Sequence, residues 1–104
     1  MGGYRLTPKA RDGLHDTLEY VASQFGASVA DQVLDRLVGA FELLAGNPRA
    51  GHRRDDLTHD DRIRFWSVGP TLIAYRAASS DAIEILIVER GERDWEKLLD
   101  EDGT

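Results

Sequence analysis

Three strand-like runs follow one another between Arg62 and Trp95, and they constrain the fold more than any other feature of the sequence. All three are rich in β-branched, aromatic or aliphatic residues, as strands usually are. They cover residues 63–68, 72–77 and 82–89. Gly69-Pro70 separates the first two runs and favours a turn, because proline cannot donate to a strand ladder. The stretch therefore predicts an antiparallel meander.

The third run alternates in a way that predicts a central strand. Ile83, Ile85 and Ile87 fall on one face, and Glu84, Leu86 and Val88 fall on the other. Both faces are partly apolar, so we expect one face to pack inside the molecule. We expect the other face to remain open for a partner, and the alternative is that the loop at 47–61 or self-association covers it.

Two helices are predicted before the meander. Thr7-Pro8 is a typical helix start, with a hydroxyl at the N-cap and proline in the first turn, and Gly26 ends this first helix. The second helix ends at Gly46, and the short link folds the pair back as an antiparallel hairpin. A short strand at 4–6 and a short helix at 94–100 complete the chain.

The predicted fold class is α+β with the order β-α-α-β-β-β and a short C-terminal helix. The helix hairpin packs on one face of a small antiparallel sheet of about four strands. At 104 residues, the chain forms one domain, residues 1–104.

Composition excludes several classes of function. There is no cysteine, no apolar run of about 20 residues that would span a membrane and no signal-peptide pattern, so we expect a cytoplasmic protein. The net charge of −6 argues against binding nucleic acid mainly through phosphates and favours a protein partner.

The residues that could carry chemistry are few, and we predict neither a cofactor nor a metal. His15, His52 and His59 lack metal-ligand spacing, and no nucleophile motif is present. Acid–base cleavage of RNA is the one chemistry that the arginines on or after the strands could support, with Glu89 nearby. The alternative is that these residues are ordinary solvent-exposed charges at the edge and rim of the sheet.

Several strings, in order, resemble the RelE/ParE superfamily of bacterial toxins, and within it the ParE branch. YRLTPKA at 4–10 resembles the family's strand and helix start, and residues 48–57 follow its PxxGxxRxxL loop. Arg64, Trp66 and Val68, with LIAYR at 72–76, resemble its paired central strands. ILIVERGERD at 85–94 is similar to its last strand and HGxRD ending.

The resemblance implies the toxin of a type II toxin–antitoxin module. Such a toxin inhibits DNA gyrase as a binding inhibitor without catalytic residues, and a ParD-like antitoxin silences it in a hetero-oligomer. The alternatives are a ribosome-dependent mRNA endonuclease of the RelE type, using Arg64, Arg76 and Arg93, or an inactive antitoxin-binding relative. Two departures bear on the choice, since Arg90 replaces the usual histidine and Leu99 stands where RelE-type ribonucleases place a catalytic tyrosine.

Two surfaces are predicted on this basis. The antitoxin is expected to contact the following residues: Arg54, Arg64, Trp66, Arg76, Leu86 and Val88. Arg90, Arg93 and Trp95 are expected to act in target inhibition, because arginine and aromatic residues dominate interface energetics. Trp95 could equally fill the core behind the last strand.

Overall fold

The order of elements is the predicted one. The structure is a computed structural model that describes residues 3–79 and 81–100, except for the side chain of Ser79. The elements are β1 (Gly3–Leu6), α1 (Pro8–Phe25), α2 (Ala27–Gly46), β2 (Arg64–Val68), β3 (Thr71–Ser79), β4 (Ala82–Arg90) and α3 (Trp95–Asp100). The predicted α+β fold class is confirmed.

Local signals explain the helix hairpin. The Thr7 hydroxyl accepts a hydrogen bond from the Ala10 amide at 3.1 Å and caps α1, and Pro8 is its first residue. Gly26 lies at φ +98°, a conformation that side chains disfavour, and separates α1 from α2. A Cβ at Gly13 would lie 2.1 Å from the Val88 carbonyl oxygen, so only glycine lets α1 approach β4 this closely.

The sheet has the strand order β1-β4-β3-β2, which places β4 in the interior as predicted. The meander β2-β3-β4 is antiparallel. β1 joins the sheet as expected, but it runs parallel to β4, so the sheet is mixed. The connection from β1 to β4 runs through both helices and then through β2 and β3, and it provides the long crossover that a parallel pair requires.

The predicted alternation in β4 is wrong beyond Leu86. Ala74 pairs with Ile87 and Tyr75 pairs with Ile85, so Leu86 is an extra residue at a β-bulge. The bulge exchanges the faces of the following residues. Val88 packs in the core under the helices, and Ile87 joins Leu86 on the opposite face.

The expectation of an uncovered sheet face is also wrong for the part of the chain that the structure describes. The helix-side core joins α1 and α2 to residues such as Ile73, Tyr75 and Ile85. A second, loop-side core fills the opposite face, and α3 and the connection between α2 and β2 cover it. Its buried residues are Ile63, Phe65, Leu72, Ala74, Leu86, Ile87, Trp95 and Leu99, with Leu57 and Leu98 packed against them.

Candidate partner-binding surface

The connection between α2 and β2 is ordered by one tyrosine from β3. The Tyr75 hydroxyl donates to the Pro48 carbonyl and accepts from the Gly51 amide, each at 2.8 Å. We call these three residues the Tyr75 clamp. Burial raises the pKa of Tyr75, so its hydroxyl stays protonated and keeps both bonds near neutral pH.

Gly51 is required by this geometry. A Cβ at Gly51 would lie 2.4 Å from the Tyr75 hydroxyl oxygen and 2.9 Å from the Phe65 carbonyl oxygen. The next residue, His52, exchanges two backbone hydrogen bonds with Phe65, at 2.8 and 2.7 Å, and covers part of the exposed edge of β2. The proline and glycine of the PxxGxxRxxL string therefore hold the loop against the sheet edge.

An apolar groove opens beside this loop. It has a volume of about 670 Å³ and is lined by Leu43, Asn47, Pro48, Arg49, Ala50 and Trp66. Leu43 is 44% exposed although it is large and hydrophobic. The ring of His52 stacks on Trp66 with centroids 6.3 Å apart and an interplanar angle of 11°, which fixes one wall.

A cleft rich in arginine adjoins the groove. Its volume is about 370 Å³, and it is lined by Pro48, Arg49, Asp61, Arg62, Arg64, Tyr75, Arg76 and Ala77. The two depressions share Pro48 and Arg49. Together they form one continuous surface, which we call the groove–cleft surface.

Two arginines of the cleft are paired within the chain. Arg62 binds both carboxylate oxygens of Asp60, at 3.0 and 2.9 Å, and these hydrogen bonds lower the pKa of Asp60. Arg76 lies 3.2 Å from Glu84. The pKa of Glu84 is also lowered, chiefly by its hydrogen bond from Arg5.

The other two arginines have no carboxylate partner among the described residues. Arg64 donates to the Gly51 carbonyl at 3.0 Å, and Arg49 makes no hydrogen bond or ion pair there. Both guanidinium groups therefore retain donors for an external anion.

The predicted antitoxin residues divide into accessible and buried sets. Trp66 lines the groove, Arg64 and Arg76 line the cleft, and Arg54 lies in the loop, bound to both carboxylate oxygens of Asp56 at 2.9 Å. Leu86 is only 2% exposed and Val88 is fully buried. The prediction that these two residues form an open face is therefore wrong, because the loop and the helices cover them.

The predicted target-inhibition residues also divide into a buried one and two that are at least partly exposed. Trp95 is 2% exposed, lies edge-on to Phe65 with centroids 6.0 Å apart, and donates from its indole N–H to the Arg90 carbonyl at 3.0 Å. Its ring fills the loop-side core and cannot contact a partner in this conformation. Arg93 remains exposed, 3.2 Å from Glu89. Arg90 is partly exposed, with its guanidinium 4.3 Å from the ring centroid of Tyr20.

The three arginines of the ribonuclease alternative do not converge. Arg64 and Arg76 line the cleft at one end of β3, whereas Arg93 lines a separate cleft of about 290 Å³ beside Thr71 at the other end. Thr71 and Arg76 are about 17 Å apart at the usual rise of a strand. In this structure the three arginines therefore lie in two different clefts.

Sequence reasoning missed Leu43, Arg49 and Tyr20. Leu43 carried a readable signal, because it is apolar but lies off the stripe of α2 that packs on the sheet. The cation–π contact of Tyr20 with Arg90 joins distant parts of the chain, and no local pattern indicates it.

No three-residue cluster of metal-ligating side chains exists in residues 3–79 and 81–100, and His15 pairs with Glu19 at 3.0 Å on α1. Within the same residues, none of the helices combines the length and the apolar character of a membrane span.

The fold of the chain is similar to that of a solved structure. The chain resembles a structure described as "Chromosomal ParDE TA system from P. aeruginosa", with a TM-score of 0.70 and 20% sequence identity over 88% of this chain and 97% of that one. No curated protein sequence matches the chain.

The sequence model of the family described as "ParE toxin of type II toxin-antitoxin system, parDE" matches residues 4–95. The chain therefore belongs to the ParE toxin family, as the resemblance predicted.

Proposed function

We propose that the chain is a toxin that inhibits DNA gyrase by binding and that a cognate ParD-like antitoxin neutralises it in the bacterial cytoplasm. Membership of the ParE toxin family supports the toxin role. The separation of Arg93 from Arg64 and Arg76 argues against the endonuclease alternative, because RNA cleavage needs its cationic groups around one phosphate. A binding inhibitor requires no such convergence.

The proposed target surface contains Arg90, the last residue of β4, and Arg93, which lies just beyond the strand. Tyr20 joins this surface through its contact with Arg90 and is itself 44% exposed. Tyrosine and arginine are among the residue types enriched at interface hot spots. We assign Trp95 a supporting role, since its indole N–H holds the Arg90 carbonyl.

The proposed antitoxin surface is the groove–cleft surface, with Arg64, Arg76 and Trp66, whereas Arg54 lines the separate cleft that contains Arg93. Arginine pairs well with carboxylates because its planar donors match the two oxygens. Trp66 and the exposed Leu43 supply apolar area beside these charges. We expect toxin and antitoxin to form a hetero-oligomer through this surface.

Induction of the chain in bacteria separates the three activities. The proposal predicts growth arrest with DNA damage and intact mRNA, and co-expression of the antitoxin restores growth. Codon-phased mRNA cuts detected by primer extension, without DNA damage, would replace it with the endonuclease. Unchanged growth at a verified protein level would indicate an inactive antitoxin-binding relative.

A further inference from the structure

The groove and the cleft meet at Arg49, and this junction defines the chemistry of the segment that fits there. Pro48 and Arg49 line both depressions. On one side lie Leu43 and Trp66, and on the other lies Arg64. A single bound segment must therefore present an apolar side chain and an anionic group in succession.

Arg49 and Arg64, the two arginines at the junction, are available to bind an anion. Arg64 donates to the Gly51 carbonyl, and the Tyr75 clamp fixes the Gly51 amide. Arg49 is exposed and has no ion-pair partner in the described ranges, 3–79 and 81–100. A carboxylate bound here does not have to displace an internal one, in contrast to Arg62 with its bidentate Asp60.

The spacing between the cationic and the apolar part of the junction follows from β2, which carries Arg64 and Trp66. Arg64 and Trp66 lie two positions apart on β2, where they pair with Tyr75 and Ile73. Their side chains therefore lie on the same face of the sheet. Residues at this spacing are about 7 Å apart on one face of a strand. A ligand matches this distance with residues i and i+2 if it is extended, or with i and i+3 or i+4 if it is helical.

Two observations favour a peptide over a nucleic acid. The groove floor is apolar, with Leu43 exposed, which suits an aliphatic side chain. The cleft also contains Asp61, and the whole chain carries a net charge of −6, both of which repel a run of phosphates.

We infer that the groove–cleft surface binds an antitoxin segment in which an aliphatic residue seated against Leu43 and Trp66 is followed by an aspartate or glutamate that bridges Arg49 and Arg64. This inference rests on the proposed function and specifies the partner's chemistry. Arg49 and Leu43 are its specificity-determining residues.

Selection from a displayed library of random peptides of about 16 residues, with the wild-type chain as bait, tests this inference. The expected peptides carry an aliphatic residue and an acidic one at a spacing of two, three or four. Their binding changes the fluorescence of Trp66, while Trp95, being buried, contributes a constant background. Peptides without such a pair, or an empty selection, would refute the inference.

Variants then locate the bound peptide. Arg49→Glu should weaken binding about tenfold or more, since it removes a charge-assisted contact and adds repulsion, and a glutamate-to-lysine change in the peptide should restore part of the loss. Arg36→Glu makes the same charge change at an exposed position of α2 and should leave binding unaltered. Equal binding by all three proteins would place the peptide elsewhere. Equally strong competition by a thymidine oligonucleotide of about 15 bases would assign the surface to nucleic acid instead.

Growth inhibition distinguishes this inference from the proposed function. Leu43→Ser and Arg49→Glu should still arrest growth but escape antitoxin rescue. A wild-type chain that never arrests growth would contradict the toxin role, while the peptide selection would still decide the chemistry of the surface. Variants that arrest growth and remain rescued would contradict the inference alone.

Discussion

Tyr75→Phe tests the clamp on which the groove–cleft surface depends. The change removes only the hydroxyl, which accepts from the buried Gly51 and donates to the Pro48 carbonyl. A buried amide left without a partner costs about 1–3 kcal/mol, and Pro48 is exposed, so water can replace its bond at smaller cost. We expect a loss of about 2 kcal/mol in the free energy of unfolding.

For a domain of this size, that loss lowers the melting temperature by about 8–16 °C. Thermal unfolding followed by circular dichroism measures it. Tyr4→Phe is the matched control, because Tyr4 packs against Phe41 in the helix-side core and its hydroxyl makes no hydrogen bond within the described residues. We expect this control to stay within about 0.5 kcal/mol of wild type.

The clamp also predicts a local effect on function. The released Gly51 carbonyl no longer positions Arg64, so Tyr75→Phe should weaken antitoxin binding below the melting temperature. A melting temperature equal to that of Tyr4→Phe, within about 2 °C, would contradict the expected cost of the unpaired Gly51 amide, because such a shift corresponds to less than about 0.5 kcal/mol.

Three further predictions concern stability. The pKa of Glu84 is lowered in the folded state, chiefly by Arg5, so its stabilisation is complete above the unfolded pKa and is lost as the pH falls through the folded pKa. The difference in unfolding free energy between wild type and Glu84→Gln should therefore shrink as the pH falls below the ordinary value of 4.5. Trp95→Ala should cost about 3–5 kcal/mol and lower the melting temperature by more than about 12 °C, whereas lost toxicity at an unchanged melting temperature would show that the ring contacts the target. Gly13→Ala should cost more than about 1 kcal/mol, because the new Cβ would lie 2.1 Å from the Val88 carbonyl oxygen; a variant as stable as wild type in chemical denaturation would contradict the close approach of α1 to β4.

The helices and the meander were predictable because their signals are local. The Thr7 cap, the Gly26 break and the Gly69-Pro70 turn each act within a few residues, and the structure contains all three features. The parallel pairing of β1 depends on how the whole hairpin crosses the sheet, so the four residues of the strand do not encode it.

The two surfaces were harder to predict. The bulge at Leu86 was hidden because both faces of β4 are apolar, so a one-residue shift changes no pattern of hydrophobicity. The cover of the loop-side core was hidden because the connection is mostly polar, and Leu57 and Ile63 are among its few residues that bury apolar side chains.

Two of the accessible arginines could be predicted from the family resemblance, which selected Arg64 and Arg76. Both of them line the cleft. Arg49 was not selected, because the role proposed for it depends on its lack of an ion-pair partner in the described part of the chain. Arg62 finds Asp60 two residues away, whereas Arg76 finds Glu84 across β3 and β4, a pairing that depends on the fold.

DNA supercoiling by purified gyrase in the presence of the purified chain tests the proposed inhibition most directly. Wild type should block supercoiling and cause cleaved DNA to accumulate. Arg90→Ala with Arg93→Ala should weaken both effects at an unchanged melting temperature, and Arg36→Ala should have no effect. Full supercoiling activity at a large excess of folded wild-type chain, together with mRNA cleavage on purified ribosomes, would contradict the proposed inhibition.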